Sequence, residues 1–133
     1  GTRFYERCLK VYSPYEFTDV DVTGKITSAG ETGGLTFVLY HQDTAYNEPG
    51  LEVGSCKVKE YQDIWKSCTI QDVSAPAGDY WVCASSPGGE YSTTYYLVAY
   101  HTSDEGRTAF WTGQNWQKLD HSTYTLKATF MGP

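Results

Sequence analysis

The segment with the clearest potential for ligand chemistry is FWTGQNW at positions 110–116. If the four residues between its tryptophans form a β-hairpin turn, Trp111 and Trp116 become partners on adjacent strands. Indole rings stack on the C–H face of a sugar, and the amides of Gln114 and Asn115 can hydrogen-bond its hydroxyls. The segment therefore predicts a carbohydrate-binding site. The alternative is that the two rings only stabilise the hairpin or cover the core, as most large aromatic side chains do.

Tyrosines near position 95 extend this aromatic character. Tyr95 and Tyr96 are adjacent, so they face opposite sides of a strand and cannot both point into one core. An exposed aromatic strip is typical of a binding face, although ordinary cross-strand packing fits the same residues. The tyrosines that we group with the tryptophans as predicted ligand contacts are Tyr91, Tyr95 and Tyr100.

An acidic segment, DVDVTG at positions 19–24, matches the first half of an EF-hand loop. The match ends at the twelfth position, which is Gly30 where a bidentate Glu is required. The alternation of Val20 and Val22 with polar residues indicates a strand instead. Loop carboxylates of a β-sandwich can still form a different kind of Ca²⁺ site, and no other cofactor is expected. The candidate ligands are Asp19, Asp21, Glu31 and Asp43.

The three histidines form no recognisable catalytic pattern. His41, His101 and His121 each lie at the predicted end of a strand or in a loop, where a surface position is the ordinary expectation. The G-x-S-x-G and H-E-x-x-H signatures do not occur in the sequence, and its glycine pairs lack the context of a phosphate-binding loop. Although a catalytic triad is spatial and needs no motif, these observations predict a protein that is not an enzyme.

The four cysteines predict two disulfides and an oxidising compartment, hence a secreted protein. Four cysteines allow three pairings, among which the sequence alone does not choose. We favour the pair Cys56 and Cys68, which closes a short loop, together with the pair Cys8 and Cys83. The alternative use of the thiols in a zinc site is disfavoured, because their spacing matches no zinc-binding pattern.

The charge balance excludes two classes of partner. The 133 residues include 10 Lys and Arg against 16 Asp and Glu, a formal net charge of −6. Nucleic-acid phosphates and anionic membrane surfaces select clusters of cations, and the sequence has none. Its longest apolar run, at 35–40, is far too short to span a bilayer. We expect neither nucleic-acid binding nor membrane insertion.

Strand patterns predict the elements that must position these residues. Residues 123–130 alternate apolar and polar side chains, which indicates a half-buried strand, whereas 35–40 is apolar on both faces and predicts a central strand. Further strands are predicted over 3–12, 16–23, 51–61, 64–70, 79–85, 94–101 and 107–112. Turn signals separate them. The pattern predicts one all-β domain over 1–133, an antiparallel sandwich or jelly roll of about eight to nine strands. A helix over 52–65 is the one competing interpretation.

The segment DYWVCASS at 79–86 places an aromatic residue, Trp81, two positions before Cys83. It resembles the last core strand of an immunoglobulin variable domain. Cys8 lies upstream at about the separation that the resemblance requires. The sequence departs from that pattern because it lacks both the Trp expected about a dozen residues after Cys8 and the closing F-G-x-G motif.

A second similarity covers roughly residues 15–100. Its segments are YEFTDVDV at 15–22, LTFVLY at 35–40, the pair Cys56 and Cys68, APAGDYWV at 75–82 and YYLV at 95–98. In this order they resemble the bacterial pre-peptidase C-terminal domain, a secreted jelly-roll module attached to proteases and collagenases. The resemblance implies a domain that binds collagen, polysaccharide or Ca²⁺. The family's acidic motif before the central strand is missing here, so its Ca²⁺ positions do not carry over.

Together these features predict a secreted, non-catalytic binding module that recognises an extracellular polysaccharide or protein through exposed aromatic side chains. Two other classes stay open. One is a secreted effector, toxin or inhibitor that acts through a protein interface. The other is a structural or adhesive subunit of a larger assembly, which would present an unpaired sheet edge to a partner strand.

Overall fold

The computed structural model describes residues 6–28, 35–58, 65–85, 95–97, 99–101, 108–111, 114–118 and 122–132. Within these residues the chain is all-β, and none of its described segments is a helix that could cross a membrane. The strands are β1 (Arg7–Ser13), β2 (Asp19–Ser28), β3 (Thr36–Gln42), β4 (Pro49–Lys57), β5 (Trp65–Ile70), β6 (Gly78–Ser85), β7 (Tyr95–Leu97), β8 (Ala99–His101), β9 (Thr108–Trp111), β10 (Trp116–Lys118), β11 (Ser122–Tyr124) and β12 (Leu126–Met131).

The strands form two main antiparallel sheets. The first has the order β10-β9-β1-β6-β3-β4, and the second has the order β12-β2-β5 with β7 also paired to β2. A two-stranded sheet pairs β11 with β8. The predicted antiparallel all-β fold is confirmed. The structure has more strands than the eight to nine expected, because it also contains several strands of only three residues. The single strand predicted over 94–101 is instead two strands that join different sheets, and 52–57 belongs to β4 rather than to a helix.

The main core lies between the two sheets. Phe17 is fully buried at its centre, and its ring lies 5.0 Å from that of Tyr80 and 4.7 Å from that of Phe130. Complete burial of one such side chain contributes about 1.5–3 kcal/mol. The strand residues of this core come from the alternation seen in the sequence, because every second side chain of a strand faces the same side of the sheet. The other members of the core include Val20, Val22, Phe37, Leu39, Ile70, Val82 and Leu126.

The opposite face of the first sheet is buried as well. Strand β6 is apolar at five consecutive positions, and its side chains alternate between two clusters. Tyr80, Val82 and Ala84 point into the main core, whereas Trp81 and Cys83 point to the outer face. This explains why the sequence of β3 is also apolar on both faces. The second cluster consists of Cys8, Val38, Tyr40, Trp81, Cys83 and Ala109, with Trp116 packed against it.

Both favoured disulfide pairings are confirmed. Cys8 and Cys83 face each other in the register of β1 and β6, with a Cα–Cα distance of 4.0 Å, and the bridge lies in the second cluster. Cys56 of β4 and Cys68 of β5 are joined with a Cα–Cα distance of 5.9 Å. The first bridge therefore ties neighbouring strands of one sheet, and the second ties one main sheet to the other.

At Gly54, strand β4 packs closely against side chains at the end of β5 in the second sheet and just after it. A Cβ atom placed there would lie 2.8 Å from Ile70 Cγ2 and 2.9 Å from Val73 Cγ1, and both are branched side chains with little freedom to move away. We expect Gly54→Ala to lower the free energy of unfolding by about 1–3 kcal/mol, as other overpacked cores do. Urea denaturation followed by circular dichroism measures the loss. Ser55→Ala, at the next position along the strand, is the matched control. Equal midpoints for the two variants would contradict close packing at this point.

Candidate functional site

The hairpin of β9 and β10 forms as the tryptophan spacing predicts. Trp116 faces Trp111 in the antiparallel register, and their ring centroids lie 5.3 Å apart at an interplanar angle of 63°. The hairpin joins the first sheet through β1, where Cys8 faces Ala109 and the Trp111 amide donates to the Glu6 carbonyl at 2.8 Å. The tryptophans therefore lie on the same face as the Cys8–Cys83 bridge.

This face of the sheet curls over itself. The rings of Trp116 and Tyr40 lie 6.4 Å apart, although four strand spacings separate β10 from β3 in the sheet order. In a flat sheet those strands would lie roughly 19 Å apart. The hairpin therefore leans across the outer face and covers part of the second cluster. Beneath it, the Tyr40 hydroxyl donates to the carboxylate of the buried Glu6, with both oxygens at 2.7 Å.

The loop between β3 and β4, residues 43–48, approaches the same face from the other side. One carboxylate oxygen of Asp43 accepts hydrogen bonds from the amides of Ala45 at 2.8 Å and Tyr46 at 3.1 Å, which fixes the turn. Asn47 attaches the loop to the sheet, because its side-chain oxygen accepts from Lys10 Nζ at 3.0 Å and from the Gln42 amide at 3.2 Å. Gln42 in turn accepts from the Trp81 indole.

A groove of about 530 Å³ separates this loop from the hairpin. The two indoles contribute to its lining, and Asp43 and Glu48 add carboxylates. None of the lining residues that the structure describes is Lys or Arg. Trp111 Nε1 is buried and has no hydrogen-bond partner among the described residues. The full lining is His41, Gln42, Asp43, Thr44, Glu48, Pro49, Gly50, Leu51, Trp111 and Trp116.

None of the other predicted ligand contacts is among the described residues that line this groove. Gln114 and Asn115 are exposed on the hairpin but are not part of the described lining, and the Asn115 side-chain oxygen accepts from the Gln117 amide at 2.9 Å. Tyr95 lies on β7, which pairs with β2, and Tyr100 lies on β8, which pairs with β11. Tyr91 lies outside the described residues. The single tyrosine strip therefore stays a prediction.

The acidic residues considered for Ca²⁺ are distributed over different elements. Asp19 accepts from the Thr18 hydroxyl and the Asp72 amide, both at 3.2 Å, and Asp21 accepts from the Thr69 hydroxyl at 2.6 Å. Both lie on β2 of the second sheet, whereas Asp43 is in the groove of the first, and Glu31 lies outside the described residues. Across the described ranges, no three His, Cys, Asp or Glu side chains are grouped as a metal site would require. The Ca²⁺ site stays a prediction.

The two histidines that the structure describes lie on different strands, β3 and β8. His41 contributes to the groove, and its ring lies 5.5 Å from the Tyr80 ring. His101 is the last residue of β8, and His121 lies outside the described residues. The sequence did not assign His41, Glu48 or Leu51 to a ligand site, because they are far from the tryptophans along the chain and only the curled sheet brings them together. The sequence EPG at positions 48–50 is a turn signal, which marks the end of this loop but not the hairpin that faces it.

No family model, no curated protein and no solved structure matches the chain. The similarity to the pre-peptidase C-terminal domain therefore stays a prediction.

The hydrogen bond beneath the hairpin makes a testable contribution to stability. Tyr40→Phe keeps the ring that packs near Trp116 but removes a donor to the buried Glu6 carboxylate. A buried acceptor that loses a partner costs about 1–3 kcal/mol, so we expect a loss of that size in the free energy of unfolding. Thermal or urea unfolding measures it, and Tyr46→Phe is the control because Tyr46 is 68% exposed. If both variants unfold at the same midpoint, the bond contributes nothing.

Proposed function

We propose that this protein is a non-catalytic binding module that holds an extracellular polysaccharide in the groove between the β9–β10 hairpin and the β3–β4 loop. The observation that carries the proposal is the placement of both predicted tryptophans along one groove with carboxylates from a separate loop. Its volume of about 530 Å³ lies within the usual range for small-molecule sites. An aromatic surface beside a few polar groups is the ordinary composition of such sites.

The lining can recognise a sugar with two kinds of contact. An indole face packs against the apolar C–H face of a pyranose ring, and desolvates it. Hydroxyl groups at the edge of the same ring donate to Asp43 and Glu48, and the Thr44 hydroxyl can donate or accept. Because carboxylates make stronger hydrogen bonds than neutral acceptors, they favour a ligand rich in donors.

The surrounding structure holds this lining in place before any ligand arrives. The Cys8–Cys83 bridge lies under the hairpin, and the hydrogen bonds of Asp43 and Asn47 fix the loop. Preorganised side chains lose less conformational entropy on binding, which raises affinity. The two disulfides are also consistent with an oxidising, extracellular compartment, which is where a polysaccharide ligand is encountered.

A protein ligand is the second candidate, and one feature favours it. Strand β4 is an edge strand of the first sheet, and Leu51 on it is 79% exposed beside the groove. An exposed edge with an apolar side chain can accept a partner strand. This arrangement supports an interface with another protein, whether the chain acts as an effector, an inhibitor or a subunit of an assembly.

The tryptophans provide the direct test of the proposed site. We expect a glycan and polysaccharide screen, followed by calorimetry on its best oligosaccharide, to detect saturable binding by the unmodified protein. Trp111→Ala removes one stacking face, and we expect at least a tenfold loss of affinity, which corresponds to about 1.4 kcal/mol. Loss of binding should be accompanied by loss of the ligand-induced shift in Trp emission.

Trp65→Ala is the matched control for this experiment. Trp65 is 50% exposed on β5 of the other sheet, so its removal also deletes one partly exposed indole without touching the groove lining. We expect it to keep the affinity of the unmodified protein. Near-ultraviolet circular dichroism confirms that each variant is folded. Equal affinities for the two variants would show that the groove is not the binding site. A folded protein that binds no glycan would favour a protein ligand instead.

A further inference from the structure

We infer that the groove selects a polysaccharide that carries free amino groups, so that its preferred occupant is a protonated hexosamine unit. This inference rests on the proposed function and specifies its ligand class. It follows from the charges that line the groove and from the separation of its aromatic and acidic sides onto two different elements.

Apart from the titratable His41, the ionisable side chains in the described lining of the groove are acidic. Asp43 and Glu48 are acidic, and among the lining residues in the described part of the chain there is no Lys or Arg. Lys10 contacts the same loop through Asn47, and it is not one of the described lining residues. The chain as a whole has a formal net charge of −6. A ligand with carboxylates or sulfates is therefore repelled, whereas a cationic ligand is attracted both at long range and at contact.

The aromatic residues favour the same ligand. Trp111 and Trp116 come from the hairpin, and the carboxylates come from the facing loop. A cation near an indole face is attracted by the ring quadrupole, in addition to the apolar contact of the sugar ring. The hairpin therefore offers a stacking surface for a sugar ring, and the loop offers acceptors for an ammonium group.

The shape of this lining favours an amino sugar over a lysine side chain. A hexosamine is one rigid ring that presents an apolar C–H face to an indole and an ammonium group at its edge. It can therefore contact both elements at once with little loss of conformational entropy. A lysine side chain has a thin, flexible stem, so it would order several rotatable bonds to place its charge.

The test compares two tetrasaccharides with the same β-1,4-linked backbone. One is a tetramer of glucosamine, and the other is its fully N-acetylated form, which carries no charge. Calorimetry uses one mildly acidic buffer for both sugars, so that the protein carries the same charges in each titration and only the ligand charge differs. We expect the amine form to bind about tenfold more tightly at low salt. The preference should shrink as ionic strength rises, because salt screens partly exposed pairs.

Two double variants test whether the carboxylates of the groove cause the preference for the amino sugar. In Asp43→Asn/Glu48→Gln, the amide introduced at position 43 keeps a side-chain oxygen that can accept from Ala45 and Tyr46, so only charge is removed. We expect the affinity ratio between the two sugars to fall from about ten to below two. Glu16→Gln/Asp79→Asn removes the same number of charges from exposed positions outside the described lining and should keep the ratio. A ratio that falls equally in both variants would overturn the assignment to the groove.

The remaining outcomes separate this inference from the proposed function. Equal binding of the two tetrasaccharides, or tighter binding of a neutral or acidic glycan, overturns the amino-sugar preference and leaves a polysaccharide-binding groove. Failure of every glycan overturns both. A tetralysine peptide that binds more tightly than the glucosamine tetramer, with the same loss in Asp43→Asn/Glu48→Gln, overturns the sugar as occupant and assigns the groove to a basic peptide.

Discussion

The burial of strand β6 on both of its faces is the constraint on which the rest of this structure depends. Its side chains alternate between the main core and the second cluster, and its neighbours β1 and β3 must follow the same alternation. A two-layer sandwich covers only one face of each sheet. The first sheet therefore needs additional cover on its outer face, where Trp81 and the Cys8–Cys83 bridge would otherwise meet water.

The cover comes from two separate pieces of chain, and the groove is the gap between them. The β9–β10 hairpin leans over the cluster from one edge of the sheet, and the β3–β4 loop approaches from the other. The Trp111 amide attaches the hairpin to Glu6, and Asn47 attaches the loop to Lys10 and Gln42. Next to these attachments, the buried Glu6 carboxylate and the Trp81 indole are themselves hydrogen-bonded. The same residues that complete the fold therefore set the width and the polarity of the groove.

The sequence was sufficient for the parts of this arrangement that depend on local pattern. The tryptophan spacing predicted the pairing of Trp111 with Trp116, and apolar runs on both strand faces predicted that the strand over 35–40 is central. It did not reveal that Asp43 and Glu48 face the tryptophans, because that depends on how strongly a six-stranded sheet curls. Curvature arises from twist and bulges summed over many residues, such as the register shifts next to Tyr40, and no short motif encodes it.

Packing alone accounts for most of the aromatic cluster, but it does not account for the indole at position 111. A phenylalanine there would also pack against Trp116, and it would bring no polar atom with it. Trp111 Nε1 instead lies buried without a hydrogen-bond partner among the described residues, an arrangement that costs about 1–3 kcal/mol. Such a cost is usually retained only where the group serves something other than stability. The indole also offers a larger flat face than phenylalanine and the strongest attraction to a cation. Both properties would suit the proposed ligand of the groove and neither is needed to close the fold, which is the physical reason for proposing this side of the sheet as the binding face.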